Sequence, residues 1–322
     1  MPRGRDATLV CMDRRMLIIF PGALGDLICV GPAIRALQRM NPAASLELMA
    51  RAELADFAAG RLGVAAGHSI DRREMSAMFR QDGASDLAAQ EFFGRFEEIC
   101  SFFAFDDPNY RRNLELACGG SVTFHQFRPD GAGHIAELYL KSIGAAAAPV
   151  ESRIDLRPAD HEAAAEVITR LNLIPGEFVM LFPGSGSQKK NWLAKRFARL
   201  ALEIEHRMRK RALAVLGPAE EDLRPLFHDY KIAVVSTLSL ATVAALADFA
   251  AGFVGNDSGV SHLAAAAGAR GVVIFGPTDP ARWRPLGRVT VLSAPDLEAL
   301  ELAPVLDALQ AASAAGLSVA RR

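Results

Sequence analysis

Two runs of alternating apolar strands and helical segments constrain the fold of this 322-residue chain more than any other feature. The first run starts with MLIIF at 16–20, followed by a polar turn and a helical pattern from Leu27 to Met40. The second run starts with FVMLF at 178–182. Such alternation is typical of βαβ units with parallel strands. The sequence therefore predicts an α/β protein built from two doubly wound, Rossmann-like parallel sheets.

The two runs are separated by the segment 144–158, which has no hydrophobic period and ends at a proline. This segment predicts a linker, with one domain at 1–150 and a second at 151–322. Further strands are predicted at 45–50, 121–124, 212–217, 232–236, 252–255 and 271–276. Because open parallel sheets bind ligands at the carboxyl ends of their strands, we expect the two domains to face one cleft. A final helix at 303–314 could pack back on the first domain.

Composition excludes several classes of protein. The chain is 51% apolar, which argues against disorder, and its 36 Lys and Arg against 37 Asp and Glu give no positive field for nucleic acid. The four cysteines form no CxxC pair, so neither a disulfide scaffold nor a zinc site is indicated; they are Cys11, Cys29, Cys100 and Cys118. No metal site is expected. The apolar stretch 16–33 is interrupted by prolines, glycines and Asp26, which predicts a cytoplasmic chain rather than one with a signal peptide or membrane span.

The segment FPGSGSQKKNW at 182–192 has the composition of a phosphate-binding turn between a buried strand and a helix. Its glycines let backbone amides converge on one point, its serines add hydroxyl donors and its lysines add charge. These residues are Gly184, Gly186, Ser185, Ser187, Lys189 and Lys190. The pattern GxxxxGK[ST] is absent, so this is not a P-loop. The alternative is a solvated Gly/Ser turn.

Two more polar segments follow predicted strands at the same edge of the second sheet. GNDSGVSHLAAAAG at 255–268 places Asp257 or Ser258 at a helix N-cap, with His262 one turn after Ser258. GPTDP at 276–280 follows the next strand. A capped helix with one hydrogen-bonded histidine, and a proline-bounded turn, are the structural alternatives. Three polar loops at one edge nevertheless favour a binding site.

Together with GALGD at 22–26, these segments resemble the ADP-heptose:lipopolysaccharide heptosyltransferases of glycosyltransferase family 9. The similarity in motif order and spacing spans residues 16 to 287. It implies a GT-B fold, in which two Rossmann-like domains face a deep cleft. It also implies transfer of a nucleotide-activated heptose with inversion at the anomeric carbon and without a metal ion or other cofactor. The implied partners are a nucleotide-sugar donor and a lipid-linked or oligosaccharide acceptor.

The resemblance also implies roles for individual residues. Asp26 matches the family's proposed catalytic base, and Lys190 matches the lysine that meets the donor diphosphate. The remaining candidate donor-binding residues are Ser185, Gly186, Ser187, Glu220, Asp257, Ser258, Gly259, His262 and Thr278. Among them Glu220 is similar to a glutamate that holds ribose hydroxyls, and Asp257 and His262 match residues that contact the donor sugar and phosphates. Two departures are Leu193, where many members have proline, and residues 71–130, which show no acceptor motif.

These roles are consistent with elementary chemistry. A carboxylate near a helix N-terminus stays ionised and can accept the proton of an attacking hydroxyl, while a lysine and backbone amides stabilise a departing diphosphate. A helix N-cap is the structural alternative for Asp26. The chain could also be a catalytically inactive nucleotide-sugar-binding protein of the same fold, or a transferase that uses another donor sugar. A metal-dependent transferase and a dinucleotide oxidoreductase are disfavoured, because neither a convincing D-x-D pair nor GxGxxG is present.

A lipid-linked acceptor would place the chain at the inner face of the cytoplasmic membrane. Arginines and phenylalanines interleave in 71–118, and this stretch is the candidate for peripheral membrane contact. The alternative is a set of core phenylalanines with solvated arginines.

Overall fold

The computed structural model describes residues 14–317, so that Cys11 lies outside the described residues. The strands of the first sheet are β1 (Arg14–Ile19), β2 (Ala44–Ala50), β3 (Ala66–Ser69), β4 (Glu98–Ser101) and β5 (Ser121–Phe124). The helices around it are α1 (Leu24–Met40), α2 (Ala52–Ala58), α3 (Arg73–Ala77), α4 (Leu87–Phe93), α5 (Pro108–Ala117) and α6 (Ile135–Ser142). The strands are parallel, in the order β3-β2-β1-β4-β5.

The second sheet has six parallel strands, in the order β11-β10-β9-β6-β7-β8. They are β6 (Phe178–Phe182), β7 (Arg211–Leu216), β8 (Ala233–Ser236), β9 (Gly252–Asn256), β10 (Gly271–Phe275) and β11 (Val289–Ser293). The helices are α7 (Pro158–Arg170), α8 (Ala194–Glu203), α9 (Arg224–Asp229), α10 (Leu240–Phe249), α11 (Gly259–Ala266), α12 (Pro280–Trp283) and α13 (Leu302–Leu317). Short 3-10 turns occur at Gln188–Lys190 and Pro218–Leu223.

Both sheets confirm the predicted α/β architecture. Every residue of β6, β9 and β10 is buried, because helices cover both faces of the second sheet. In each sheet the strand order reverses at a central pair, β1 with β4 and β6 with β9. Ligands bind at such reversal points, beyond the carboxyl ends of the strands. The loops after β1, β6 and β9 contain three of the four segments that the sequence analysis singled out, and the fourth, at 276–280, follows β10.

Several elements differ from the sequence-based expectation. Helix α1 begins at Leu24, almost one turn before the predicted start at Leu27. The predicted single helix after residue 193 ends at Glu203 and continues as a π-helical turn over Ile204–Met208. Helix α13 packs on β9, β10, β11 and α8, and therefore on the second sheet rather than back on the first. Its Val305, Leu306 and Leu309 are fully buried in that core.

The segment 71–118 supplies much of the first domain's core. Phe92, Phe93, Phe96 and Phe102 are at most 5% exposed, which agrees with the core alternative for these rings. The segment also carries six arginines against ten carboxylates, so its net charge is negative. Within the part of the chain that the structure describes, no helix combines the length and apolarity needed to cross a membrane.

The segment between the domains is hydrogen-bonded to helix α1 at the position where a proline interrupts the hydrogen bonds of that helix. Pro32 has no N–H, so the carbonyl of Ile28, four residues earlier, lacks its helical donor. The Ser152 hydroxyl, 2.8 Å from that carbonyl oxygen, donates to it instead. Segment 143–157, which connects α6 to α7, therefore supplies the missing hydrogen bond of the helix.

Two ion pairs hold the same region. Arg61 donates to both carboxylate oxygens of Asp160 on α7, at 2.8 and 2.6 Å, and both side chains are nearly buried. Arg35 on α1 donates to Asp155, at 2.9 Å. Buried ionic groups need geometry of this quality to offset desolvation. The two domains are thus joined by bidentate and single ion pairs as well as by the chain.

We expect Ser152→Ala to lower the free energy of unfolding by about 1–3 kcal/mol, because the Ile28 carbonyl would lose this donor. Denaturant titration measures this. In a Pro32→Ala background, the backbone N–H of the introduced alanine supplies the helical bond, so the same serine substitution should cost less. Exposed Ser76→Ala is the control. Equal costs of Ser152→Ala in both backgrounds would contradict the assignment.

Candidate functional site

The two domains meet closely where the first turns of α1 and α11 face each other. A Cβ on Gly259 would lie 2.9 Å from Leu24 Cβ and 3.1 Å from the Gly25 amide nitrogen, so only glycine fits there. A Cβ on Gly25 would lie 3.6 Å from Gly259 Cα and 3.5 Å from the His262 ring. The GALGD and NDSG loops therefore lie side by side, although 229 residues separate them in the sequence.

A cavity of about 870 Å³ opens beside this contact, between the two domains. Helix α2 and the start of α1 form its first-domain wall. The second-domain wall contains five of the predicted donor-binding residues: Ser185, Gly186, Glu220, Ser258 and Gly259. Val215, Leu216, Leu238 and Val243 add an apolar surface. A cavity that is largely apolar with a few convergent polar groups is typical of a small-molecule site.

The predicted phosphate loop is fixed by a buried asparagine at the end of β9. Asn256 Nδ2 donates to the Pro183 carbonyl, at 2.8 Å, and Asn256 Oδ1 accepts from the Trp192 amide, at 3.0 Å. Asn256 thereby clamps both ends of the loop. The Trp192 indole is fully buried and donates to the Leu300 carbonyl at 2.9 Å. The sequence analysis did not single out Asn256, although this residue lies in the segment 255–268.

Within this loop the serines and glycines have different environments. Ser185 Oγ lies 2.7 Å from the Ser187 carbonyl oxygen and 2.6 Å from Asn191 Oδ1, so its hydroxyl is engaged in shaping the turn. Ser187 and Gly186 are exposed, and a Cβ on Gly186 would meet no atom within 4 Å. The loop therefore has open space above Gly186, next to the cavity.

Glu220 lies against the loop. Its carboxylate accepts the Gly217 amide at 3.0 Å, and a Cβ on Gly184 would collide with Glu220 Cδ. The absence of a side chain at Gly184 therefore allows this carboxylate to approach the loop closely. Burial raises the pKa of Glu220, and the bond from Gly217 opposes the shift. The carboxylate faces the cavity with capacity for further donors.

Lys190 and Asp257 form an ion pair, with Nζ 2.8 Å from Oδ2. The Asp257 side chain is 7% exposed and that of Lys190 is 34% exposed, so the ammonium borders the open side of the pair. An ammonium has three donors, of which this pair uses one. Lys190 can therefore compensate the charge of the Asp257 carboxylate and still donate a hydrogen bond to an anion.

His262 contacts the first domain rather than pointing into the cavity. Its Nδ1 lies 3.6 Å from Cys29 Sγ on α1. Burial lowers the pKa of this imidazole to about 4 and raises the pKa of the Cys29 thiol, to which the charges of Asp26 and Asp257 add. Both groups are neutral near pH 7, so the thiol and the imidazole can share this hydrogen bond without burying a charge. His262 is thus part of the contact between the domains.

Asp26 occupies the third position of α1, not the N-cap. Its Oδ2 accepts the amide of Ala23, which is the N-cap residue, at 3.2 Å. Both carboxylate oxygens also lie 3.4 Å from Arg128 Nη2. The Asp26 side chain is 11% exposed and that of Arg128 is 56% exposed. Arg128 follows β5 in the region where the sequence shows no motif, and it was not predicted.

Two further predicted donor-binding residues are Ser258 and Thr278. Ser258 is the N-cap of α11, and its Oγ lies 3.2 Å from Ser261 Oγ rather than on a backbone amide. Thr278 is half-buried beyond β10 and does not line the cavity. Among residues 14–317 the structure has no cluster of three or more histidine, cysteine or acidic side chains arranged to hold a metal.

Comparisons with known proteins agree with the fold of two parallel sheets. Residues 134–302 match the model of glycosyltransferase family 9 (heptosyltransferase). A family 9 glycosyl transferase from Veillonella parvula is 16% identical, with a TM-score of 0.78 over 93% of this chain and 97% of that one. ADP-heptose LPS heptosyltransferase II of E. coli is 17% identical (TM-score 0.74, covering 94% and 99%). E. coli heptosyltransferase WaaC, solved with ADP, is 19% identical (TM-score 0.67, covering 92% and 99%). No curated protein sequence matches the chain.

We expect the free energy of unfolding to fall as the pH drops from 7 towards 5, in part because of His262. Its folded pKa of about 4 lies below the ordinary value of 6.5, so the unfolded state binds a proton that the folded state does not. The loss approaches about 3 kcal/mol near pH 4, and His134, whose pKa burial also lowers, acts in the same direction.

Denaturant titration at several pH values measures this dependence. His262→Gln should flatten it, whereas His206→Gln, which alters an exposed histidine, should not. An unchanged pH dependence in the His262 variant would show that the imidazole is not held neutral by the domain contact.

Proposed function

Because the chain belongs to glycosyltransferase family 9, we propose that this glycosyltransferase moves a heptose from ADP-heptose to a lipopolysaccharide core or related glycan acceptor. The transfer inverts the anomeric carbon and needs no metal. The observation that carries the proposal is the juxtaposition of Gly25 and Gly259. It brings the first turn of α1, which carries Asp26, against the first turn of α11, which follows Asp257 of the Lys190–Asp257 pair, and residues of both turns line the interdomain cavity.

In the proposed reaction Asp26 accepts the proton of an acceptor hydroxyl as its oxygen attacks the anomeric carbon. The bond from that carbon to the diphosphate breaks at the same time, and the electron pair leaves with the nucleoside diphosphate. Attack from the face opposite the leaving group inverts the centre. A positioned carboxylate contributes about 10²–10⁴-fold to such a step.

The second domain has the groups that a departing diphosphate requires. The open space above the exposed Gly186, the first turn of α11 at Gly259 and the ammonium of Lys190 suit an anion, because a helix N-terminus supplies N–H donors and the lysine supplies positive charge. Groups already fixed in place stabilise developing charge without reorganisation. The apolar wall with Val215 and Leu216 suits a nucleobase, and the Glu220 carboxylate beside Gly184 suits ribose hydroxyls.

The acceptor is proposed to bind on the first-domain side of Asp26. A lipid-linked acceptor would bring this domain to the inner face of the cytoplasmic membrane. Among the six arginines of 71–118, we propose the exposed Arg112 and the half-buried Arg111 of α5 as the groups that would meet anionic lipid. Peripheral contact of the protein with the membrane remains a prediction.

We expect the wild-type protein to transfer heptose from ADP-heptose to core acceptor, and Asp26→Asn to lower kcat by about 10²–10⁴-fold. The amide is nearly isosteric and can still accept the Ala23 amide, so ADP binding should be retained. Product formation and calorimetry measure the two effects. Asp229→Asn, at the exposed end of α9, is the control. Wild-type ADP binding without transfer to any acceptor would instead favour an inactive binding protein.

We expect Lys190→Ala to weaken ADP binding by about 10- to 100-fold, since a charge-assisted contact contributes about 1.5–3 kcal/mol. Lys189→Ala removes the same charge from the adjacent exposed residue and should have little effect. Calorimetry with ADP, UDP and GDP in the presence of EDTA also tests the base preference and metal independence. If both lysine variants lost ADP affinity equally, Lys190 would contribute only through its positive charge and not through a specific contact.

A further inference from the structure

Arg128 contacts the carboxylate of Asp26 and aromatic rings from both domains. Its Nη2 lies 3.4 Å from each Asp26 oxygen. Its guanidinium carbon lies 5.1 Å from the centre of the Phe127 ring and 5.3 Å from that of Trp283. Phe127 belongs to the first domain and Trp283 to α12 of the second. Cation–π contacts of this kind hold a guanidinium in place even where it is partly exposed.

The loop that carries Arg128 is bound to the second domain at several points. Arg282 on α12 donates to the Pro129 carbonyl at 2.7 Å and to the Gly131 carbonyl at 2.8 Å. His134 Nδ1 accepts the Ala136 amide, so Nε2 carries the proton and donates to the Arg284 carbonyl at 2.8 Å. The position of Arg128 therefore depends on the contact between the domains.

The hydrogen bonds of Asp26 leave room for a base to act. Oδ2 accepts from the Ala23 amide and from Arg128, whereas within residues 14–317 Oδ1 accepts from Arg128 alone. A carboxylate oxygen accepts two hydrogen bonds, so Oδ1 retains a free acceptor position. Fixing the carboxylate plane from both sides directs that position and reduces the freedom lost when the hydroxyl binds.

We propose that Arg128 is a positioning residue for Asp26, and that Trp283 of the second domain keeps it in place. The base is then fully oriented only when the two domains are docked as they are here. This inference rests on the proposed role of Asp26 as the base. It assigns a function to the segment after β5, for which the sequence offered no motif.

The test compares Arg128→Met and Arg128→Lys with the wild type, with KM for the donor, kcat and the ADP dissociation constant measured separately. Arg128→Met should lower kcat by about 10- to 100-fold, the worth of one charge-assisted contact, and leave ADP affinity and the thermal midpoint nearly unchanged. Arg128→Lys should recover part of kcat. Arg199→Met, an exposed arginine of α8, is the control.

Two further measurements separate positioning from a structural role. Millimolar guanidinium chloride should restore kcat of a smaller variant, Arg128→Ala, relative to the same concentration of KCl. Trp283→Leu should lower kcat without being rescued, because the arginine is still present but less well held.

If Asp26→Asn lowers kcat as expected, an unchanged kcat in Arg128→Met, or a loss confined to donor KM, would overturn the inference. If Asp26→Asn itself remains active, the proposed role of Asp26 fails instead.

Discussion

The close approach of α1 and α11 at Gly25 and Gly259 is the contact on which the site depends. A methyl group at position 259 would collide with Leu24, so the spacing between the domains is set by the absence of a side chain. Through this contact the first turn of a helix from each sheet faces the same cavity. Each of these helices begins at the point where the strand order of its sheet reverses, which is where α/β proteins bind ligands. The topology of the two sheets and the glycine at position 259 together therefore determine where the candidate site lies.

Local patterns predicted the sheets well, because strands such as β6 and β10 are buried on both faces and read as unbroken apolar runs. The local patterns did not predict elements whose position depends on tertiary contacts. Strands β3 and β11 are only partly buried and lack such runs. Helix α1 starts at Leu24 after Ala23, a poor N-cap by residue type, because the Asp26 carboxylate bonds the Ala23 amide and α11 covers this turn.

The same distinction holds for the site. Motif resemblance identified Asp26 and Lys190, whose roles remain proposals, yet no spacing could reveal that His262 meets Cys29, 233 residues away. The expected contact of His262 with the donor stays a prediction, and in this structure its ring packs between the domains. Arg128 was missed for a related reason: a single arginine in an irregular loop has no periodic signal, and only the folded chain brings it to Asp26. Asn256 could have been noticed as a polar residue ending an apolar strand.

The buried pair of Arg61 and Asp160 also bears on how this sequence can diverge. Both side chains are nearly buried, so replacing one alone leaves the other charge without its ionic partner. Replacing both by well-packed apolar side chains avoids that penalty. Substitutions at positions 61 and 160, which lie on different domains, are therefore expected to occur together. A substitution at only one of them would weaken the contact between the two domains.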